Sequence, residues 1–239
     1  MDARPANKPI VEIIRATKIY PPDVVALEDI SLSVPYGEML FLTGMSGAGK
    51  TTLLKMICGI EHPDKGFVEV AGKDLNRIKD KEIPRLRQQI GMAYQDFKLL
   101  ADRTVAQNIS MAMEVAYHNF RSIKKRVIEL LQKLKLEHKH DALAGRLSRG
   151  EQQRVAIARA VANSPALILA DEPTGNLDSK TTKLVMELFE ECNISGATLI
   201  IATHDEKIYH GANHRVLELQ SGRFLPQEGR TTLTLNNMS

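Results

Sequence analysis

The chain is poor in the residues that mark secreted, metal-binding and membrane-spanning proteins. Its 239 residues include no tryptophan and only two cysteines, Cys58 and Cys192, and aromatic residues make up 5% of the total. Cysteines this far apart form neither a metal-ligand motif nor a disulfide framework, so free thiols in a reducing compartment are expected. No apolar run approaches the length of a membrane span, and residues 1–9 lack the apolar core of a signal peptide.

The charge balance gives no support to nucleic acid as a partner. Lysine and arginine number 32 against 29 acidic residues, a net charge of +3, which is too small to indicate nucleic-acid binding by itself. The hydrophobic share of 43% and the charged share of 26% are ordinary for a globular protein. The length predicts one large domain, or a domain with a subdomain. The lack of a membrane span and of a signal-peptide core predicts a cytoplasmic location. This leaves open attachment to a membrane through a partner.

One glycine-rich stretch organises the chain. It matches G-x-x-x-x-G-K-[ST], the loop whose backbone N–H groups cradle phosphates. The apolar run 39–43 predicts a strand before it, and 51–58 predicts a helix after it, which is the order that phosphate binding needs. Lys50 is predicted to reach the β- and γ-phosphates of ATP, and Thr51 to offer its hydroxyl to Mg²⁺. The alternative is a plain strand-to-helix turn. The predicted nucleotide-binding residues of this stretch are Gly44, Met45, Ser46, Gly47, Ala48, Gly49, Lys50, Thr51 and Thr52.

Two acidic residues follow a second apolar run. Residues 166–170 are apolar and precede Asp171 and Glu172, and a continuous apolar run of this kind suits a central parallel strand. An ATPase with a phosphate loop needs a carboxylate here to hold Mg²⁺, which is the role predicted for Asp171. Glu172 is then placed to orient and deprotonate the attacking water. Taken alone, two acids after a strand more often begin a turn.

A second motif begins at Leu147 and reads Leu-Ser-Arg-Gly-Glu-Gln-Gln-Arg. Ser148 and Glu151 have the spacing of a capping box, which predicts a helix through Ala162. The stretch resembles the signature of the ATP-binding-cassette ATPases, usually Leu-Ser-Gly-Gly-Gln. Arg149 and Glu151 depart from that pattern. The resemblance implies that Ser148, Arg149, Gly150 and Glu151 act in trans, closing over the γ-phosphate held by the phosphate loop of a second subunit.

Other elements of that family occur in the same order along the chain. The resemblance implies that Tyr20 stacks on adenine, that Gln95 senses Mg²⁺ and the attacking water, and that Asp178 lies in the loop that crosses the dimer interface. His204 ends the apolar run 198–203 and matches the histidine at the γ-phosphate. The implied catalytic set is therefore Glu172, His204, Gln95 and Lys50, and the implied metal set is Thr51, Gln95 and Asp171.

The resemblance also implies the fold and its parts. The fold class is α/β, a P-loop NTPase with a RecA-like core, an N-terminal antiparallel β-subdomain and a helical subdomain that carries the signature. Strands are predicted over 10–15 and 30–34 with Pro21-Pro22-Asp23 as a turn, and a helical pattern runs from the capping box at Thr104 toward Leu136. The predicted divisions are a flexible N-terminus at 1–9, the ATPase domain at 10–225 with the helical subdomain at about 97–163, and a tail at 226–239.

The stretch from Tyr94 to Val105 indicates which branch of the ATP-binding-cassette family the chain resembles. It is similar to the cell-division ATPases, whereas the relatives in lipoprotein release and macrolide efflux usually differ after the glutamine. The resemblance implies a subunit that forms a homodimer when ATP is bound. It also implies a membrane protein at the inner membrane as the partner, which transmits closure of the dimer to cell-wall hydrolases. A lipoprotein-release or efflux ATPase is the alternative, and a soluble cassette protein is a further one. Phe97, Leu99 and Leu100 are predicted to contact the membrane partner, or else to pack the helical region onto the core.

Overall fold

The computed structural model describes residues 8–210 and 213–226. The predicted flexible segments 1–9 and 226–239 lie almost entirely outside these ranges. The strands are β1 (Val11–Tyr20), β2 (Val24–Val34), β3 (Met39–Thr43), β4 (Lys65–Val70), β5 (Lys73–Asp74), β6 (Ile90–Ala93), β7 (Leu167–Asp171), β8 (Thr198–Ala202), β9 (Arg215–Gln220) and β10 (Arg223–Phe224). The helices are α1 (Lys50–Ile57), α2 (Ile83–Arg87), α3 (Val105–Glu114), α4 (Phe120–Lys133), α5 (Arg149–Ala162) and α6 (Ser179–Ile194).

A six-stranded sheet places the predicted site residues along one edge. Its order is β10-β9-β3-β8-β7-β6, and all neighbouring strands except β10 run parallel. Every residue of β3, β7 and β8 is buried, as continuous apolar runs in a covered parallel sheet predict. Because parallel strands all end at the same edge, the phosphate loop after β3, the acids of β7 and the histidine after β8 become neighbours.

A separate antiparallel sheet with the order β2-β1-β4-β5 contains the N-terminal strands. The turn at Pro21-Pro22-Asp23 lies where it is predicted, but β1 and β2 extend further toward it than the predicted ranges 10–15 and 30–34. The pairing continues because register shifts between Ile13 and Ile19 let the polar residues of β1 stay bonded to β2.

The region between β6 and β7 is helical. The capping box at Thr104 is present and begins α3, and α5 covers the range predicted from Ser148. The helical pattern toward Leu136 is interrupted, because α3 ends at Glu114 and α4 begins only after Asn119. Tyr117 in this break has a left-handed φ of 59°, which a helix cannot accommodate.

Both faces of the large sheet are covered. Leu40 and Leu42 of β3 belong to one buried cluster with α1 and the antiparallel sheet, whereas Met39 and Phe41 belong to a second cluster with α3, α4, α5 and α6. This alternation is the period of two that a strand imposes. The helical region therefore shares its core with the sheet, and its boundaries as a subdomain stay a prediction.

Candidate nucleotide site

The stretch from Gly44 to Thr51 joins β3 to α1, the order predicted for a phosphate loop. Gly44 and Gly49 have φ values of 136° and 108°. A Cβ atom at Gly44 would lie 2.1 Å from the carbonyl oxygen of Leu219, and one at Gly49 would lie 2.6 Å from that of Ala26. Both the backbone conformation and the space therefore require glycine, and the loop is held tightly between β2 and β9.

The N-terminus of α1 is suited to an anion. Side chains cap α3, α4, α5 and α6, but none caps α1, whose N-cap is Gly49. The N–H groups in the first turn of a helix have no intrahelical acceptor, and the helix dipole adds positive charge there. The Lys50 ammonium adds a full charge at the same point.

Lys50 is buried and turned back over the loop. Its Nζ donates to the carbonyl oxygens of Gly44 at 2.6 Å and Met45 at 3.1 Å, and it lies 3.7 Å from Oε1 of Glu172. A buried cation is costly unless it has such acceptors. This arrangement fixes a positive charge between the loop and the acidic end of β7.

A cavity of about 540 Å³ adjoins these groups. It brings together most of the residues predicted to bind nucleotide and metal or to act in catalysis. The sequence did not indicate the short apolar segment at the start of β2 that forms one wall. Val24 and Val25 in this segment are 58% and 46% exposed, and exposed β-branched residues beside a phosphate loop are the signal that was available. The lining residues are Val24, Val25, Ala26, Met45, Ser46, Gly47, Ala48, Gly49, Lys50, Thr51, Thr52, Gln95, Asp171, Glu172 and His204.

Asp171 and Thr51 are in direct contact in the cavity wall. The Thr51 hydroxyl donates to Oδ2 of Asp171 over 2.7 Å, although 120 residues separate them in sequence. Burial raises the pKa of Asp171, the bond from Thr51 opposes that shift, and the negative charge of Glu172 adds to it. Carboxylate and hydroxyl oxygens are ligands that Mg²⁺ prefers, so the pair is suited to the predicted metal position beside Gln95.

Several hydrogen bonds and close contacts hold Glu172 in place. Its Oε1 lies 2.8 Å from Nδ1 of His204, and its backbone N–H donates to the carbonyl of Ala202 over 2.8 Å. Its own carbonyl accepts a 3.0 Å bond from Nε2 of Gln153, and the backbone N–H of His204 lies 3.4 Å from Oε2. The φ of Glu172 is 48°, a strained value for a residue other than glycine. The surroundings impose this conformation, which aims the carboxylate at the cavity.

Gln153 is a site residue that the sequence did not reveal. It is 2% exposed, and its Oε1 accepts a 2.9 Å bond from Nδ2 of Asn176. One side chain of α5 therefore links the backbone of Glu172 to the loop that follows β7. The sequence places Gln153 in the signature stretch. Its contact with Glu172 could not be predicted, because that contact depends on how α5 packs.

Tyr20 lies beside the cavity and not in its lining. It ends β1, half-buried, and the Lys18 ammonium is 5.4 Å from the centre of its ring. Burial raises the pKa of the Tyr20 phenol, and interaction with Thr52 opposes the shift. Since Thr52 does line the cavity, Tyr20 is close to the nucleotide position, and its stacking on adenine stays a prediction.

The signature residues form the N-terminus of α5. The Ser148 hydroxyl accepts from the Glu151 N–H, and Glu151 Oε2 accepts from the Ser148 N–H over 2.8 Å. Glu151 also forms a 3.1 Å ion pair with Lys139. Burial acts against ionisation of Glu151, but the bonds from Ser148 and the charge of Lys139 prevail and lower its pKa to about 2. The departure from the family glutamine is thus used to cap the helix.

The residues predicted to act in trans do not line the cavity of their own chain. Ser148, Arg149, Gly150, Glu151 and Asp178 are all absent from its lining. Asp178 caps α6 by accepting from the Thr181 N–H over 2.9 Å. A site completed by a second subunit would have this property, and their role there stays a prediction.

The structure corrects the expectation for Phe97. Its side chain is 6% exposed, with the Arg149 guanidinium 5.8 Å from the ring centre, and Arg159 donates to its carbonyl over 2.6 Å. Phe97 thus packs inside the chain, as the alternative reading held, and is not an exposed anchor. Leu99 is half-buried against the helical core, and Leu100 is 42% exposed. Of the three residues assigned to the partner, Leu100 has the most accessible side chain.

Comparison with known proteins assigns the family. The model of the ABC transporter family matches residues 27–175. The chain belongs to the ABC transporter family. This cassette is 44% identical over 221 residues to the cell division ATP-binding protein FtsE of Bacillus subtilis, covering 92% of this chain and 97% of the relative. The FtsE protein of Escherichia coli is 48% identical over 197 residues, covering 82% of this chain and 89% of the relative.

Solved cassettes have the same fold. The dimeric post-hydrolysis structure of the ATP-binding cassette MJ0796, bound to ADP and Pi, superposes with a TM-score of 0.85 at 34% identity, covering 90% of this chain and 96% of that one. CbiO1 from Clostridium perfringens gives 0.79 at 30% identity, covering 92% and 88%. The predicted P-loop ABC fold is confirmed, and the cassette is an ATPase. In residues 8–210 and 213–226, no helix is long and apolar enough to cross a bilayer.

Proposed function

We propose that this chain is the ATP-binding and ATP-hydrolysing subunit of a cell-division complex, in which it pairs with the membrane protein FtsX. Identity of 43–48% to FtsE proteins supports the cell-division branch. The single observation that carries the chemistry is the convergence of Lys50, Gln95, Asp171, Glu172 and His204 on one cavity.

The arrangement suggests a direct hydrolytic mechanism. Lys50 and the N-terminus of α1 bind the β- and γ-phosphates of ATP, and Glu172 accepts a proton from the attacking water. The water oxygen bonds to the γ-phosphorus while the bond from that phosphorus to the bridging oxygen breaks, and ADP leaves with the electron pair. His204, 2.8 Å from Glu172, orients that carboxylate and lies at the γ-phosphate.

Thr51, Asp171 and Gln95 are the proposed ligands of Mg²⁺. When bound, the ion neutralises charge on the phosphate oxygens. The short contact between the Thr51 hydroxyl and the Asp171 carboxylate supports this assignment, because both oxygens already face the cavity and would stay within reach of one ion.

The complete site is proposed to form between two copies of the chain. Ser148, Arg149, Gly150 and Glu151 of one copy, with Asp178, would close over the nucleotide on Lys50 of the other. Their absence from the lining of their own cavity supports this model, as does the dimeric state named for the related cassette bound to ADP and Pi. ATP would therefore hold the dimer together, and hydrolysis would release it.

Closure of the dimer would be passed through FtsX to regulate peptidoglycan hydrolases outside the membrane. The chain would be peripheral, on the cytoplasmic face of the inner membrane and bound through its partner, without nucleic acid. The loop after Gln95 is the proposed coupling point, with Leu100 as its exposed apolar group and Leu99 packed behind it.

The composite site is tested with Glu172→Gln, which keeps the shape of the site but cannot accept the proton. With ATP and Mg²⁺, light scattering should show a stable dimer of this variant and mainly monomer for the wild type. Lys50→Ala is the control, since loss of a charge-assisted phosphate contact should prevent both nucleotide binding and dimer formation. A Glu172→Gln protein saturated with ATP that stays monomeric would contradict the model.

The partner is tested by capture from membranes. FtsX should co-purify with the wild type, and Leu100→Asp should reduce its recovery. Ile60→Asp is the matched control, because Ile60 is 39% exposed and follows α1. Recovery of a lipoprotein-release or macrolide-efflux permease in place of FtsX would overturn the cell-division assignment while leaving the ATPase assignment intact.

A further inference from the structure

Helix α4 presents an unusual outer face. Its inner residues Ile123, Val127, Leu130 and Leu131 are buried, as the helical period requires. The outer side carries aromatic and aliphatic groups next to cations where a solvated helix would carry mixed charges. We call this the basic aromatic face, and it consists of Phe120, Arg121, Lys124, Lys125 and Ile128 of α4, with Tyr117 exposed in the turn before the helix.

The apolar part of this face projects into solvent. Tyr117 is 92% exposed, Phe120 is 80% exposed and Ile128 is 40% exposed. The last two are eight residues apart, so they lie on the same side of α4 about two turns apart. Single exposed apolar residues are ordinary, but Phe120 and Ile128 on one side of α4, with Tyr117 exposed three residues before the helix, are more apolar surface than a solvated helix end usually shows.

The cations of the face form no ion pair within the described residues. Among residues 8–210 and 213–226, no carboxylate lies within 4.0 Å of the charged groups of Arg121, Lys124 or Lys125. The neighbouring Arg126 differs, because it points inward to Glu129 and to the carbonyl of Ala162.

The sequence around the face has a single sign of charge. Residues 115–128 contain four arginines and lysines and no aspartate or glutamate. A solvated helix usually intersperses both signs. Three unpaired cations among protruding aromatic and aliphatic groups are therefore complementary to a surface that is anionic outside and apolar beneath.

We propose that the basic aromatic face contacts a membrane leaflet rich in anionic phospholipid. Arg121, Lys124 and Lys125 would lie at the phosphate level, and Phe120 and Tyr117 would enter the interface, which is the division of roles in interfacial helices. Phe120 protrudes from the helix at 80% exposure, and a fluid interface can take up such a side chain without a preformed pocket. The contact adds a direct attachment to the one made through the membrane partner, and it requires neither nucleotide nor dimer.

The absence of tryptophan from the chain permits a direct test. Phe120→Trp introduces a single indole into the face, and its emission should shift to the blue when vesicles of phosphatidylglycerol and phosphatidylcholine are added to the full-length protein. Vesicles of phosphatidylcholine alone should give little shift. Ile194→Trp is the matched control, since Ile194 is 86% exposed on α6, outside the face, and its emission should not change.

Charge reversal at two positions distinguishes attraction of the face to anionic lipid from a general effect of the net charge of the protein. Lys124→Glu with Lys125→Glu, in the Phe120→Trp background, should lower vesicle partitioning by at least about thirtyfold. Lys79→Glu with Lys81→Glu makes the same change in net charge in an exposed loop before α2 and should leave partitioning within about twofold of the parent. Equal melting temperatures show that all variants are folded.

Three results would overturn the proposal. They are a Phe120→Trp emission unchanged by any vesicle, a shift of the same size with neutral and anionic vesicles, and equal losses in the two charge-reversal variants. A shift caused by soluble poly-glutamate without a response to vesicles would assign the face to an acidic protein segment, which also rejects the membrane.

Discussion

Replacing Gln153 by leucine should impair catalysis more than it impairs ATP binding. Gln153 is 2% exposed and does not line the cavity, but its amide donates to the carbonyl of Glu172 over 3.0 Å. Glu172 has a φ of 48°, which costs about 1–3 kcal/mol for a residue with a Cβ and persists only while its surroundings enforce it. Gln153→Leu removes one of the groups that enforce it.

The size of the effect follows from the bonds that remain. Glu172 keeps its 2.8 Å bond to Ala202, and its carbonyl keeps a weaker 3.4 Å contact with the N–H of Gly175. One lost hydrogen bond of a buried group is worth about 1–1.5 kcal/mol. If all of that energy stabilises the catalytic position of Glu172, its loss should lower kcat about five- to thirteenfold.

The assay compares steady-state ATP hydrolysis with binding of a fluorescent ATP analogue and with urea unfolding. Gln153→Leu should lower kcat while the Kd for nucleotide stays within about twofold, because no phosphate contact is removed. Gln88→Leu is the control, since Gln88 also donates to a backbone carbonyl, that of Val115 over 2.8 Å, outside the site. Its unfolding free energy should fall by about 0.5–1.5 kcal/mol with kcat unchanged. A wild-type kcat in Gln153→Leu would show that Glu172 is held without it.

Further predictions concern Phe97 and Glu151. Phe97→Ala should lower the free energy of unfolding by about 3–5 kcal/mol in urea titrations, because the ring is 6% exposed; a variant as stable as the wild type would return Phe97 to the partner surface. Because the folded pKa of Glu151 is about 2 against an ordinary 4.5, its carboxylate contributes stability that is fully present above pH 4.5 and is lost as the pH falls through 2. Glu151→Gln should therefore flatten this part of the pH–stability profile, and an unchanged profile would refute the assignment.

Much of the site could be predicted because its parts are local in sequence. The phosphate loop from Gly44 to Thr51 is recognised by residues at fixed offsets, and the capping boxes at Thr104 and Ser148 each span four residues. The continuous apolar runs of β7 and β8 predict buried strands. Helix α6 was also within reach, since Val185, Leu188 and Phe189 have helical spacing and are buried. The break after Glu114 was harder to predict, because an apolar Val115 and Ala116 continue the helical pattern into it.

The remaining features depend on contacts between distant parts of the chain. From the sequence alone, Phe97 is expected to be an exposed aromatic residue in a loop. In the structure, Arg149 and Arg159 of α5, more than 50 residues further along the chain, contact its ring and its carbonyl. In the sequence, Gln153 is one polar residue among several. Its contact with Glu172 exists only because α5 packs on the sheet beside β7. Such pairings are decided by how α5 lies on the sheet, which no spacing within the sequence encodes.

The contacts along helix α5 determine whether its two ends move together or in succession during ATP turnover. Ser148 caps its 14 residues, which include Gln153, bonded to the Glu172 carbonyl, and Arg159, bonded to the carbonyls of Phe97 and Lys98. After Gly150 it has neither glycine nor proline, so it is about 20 Å of helix without a hinge. A displacement of one end must reach the other in the same step. Fluorescent probes beside Ser148 and at Lys98 should therefore report one shared rate constant, with no lag between the nucleotide and the surface loop.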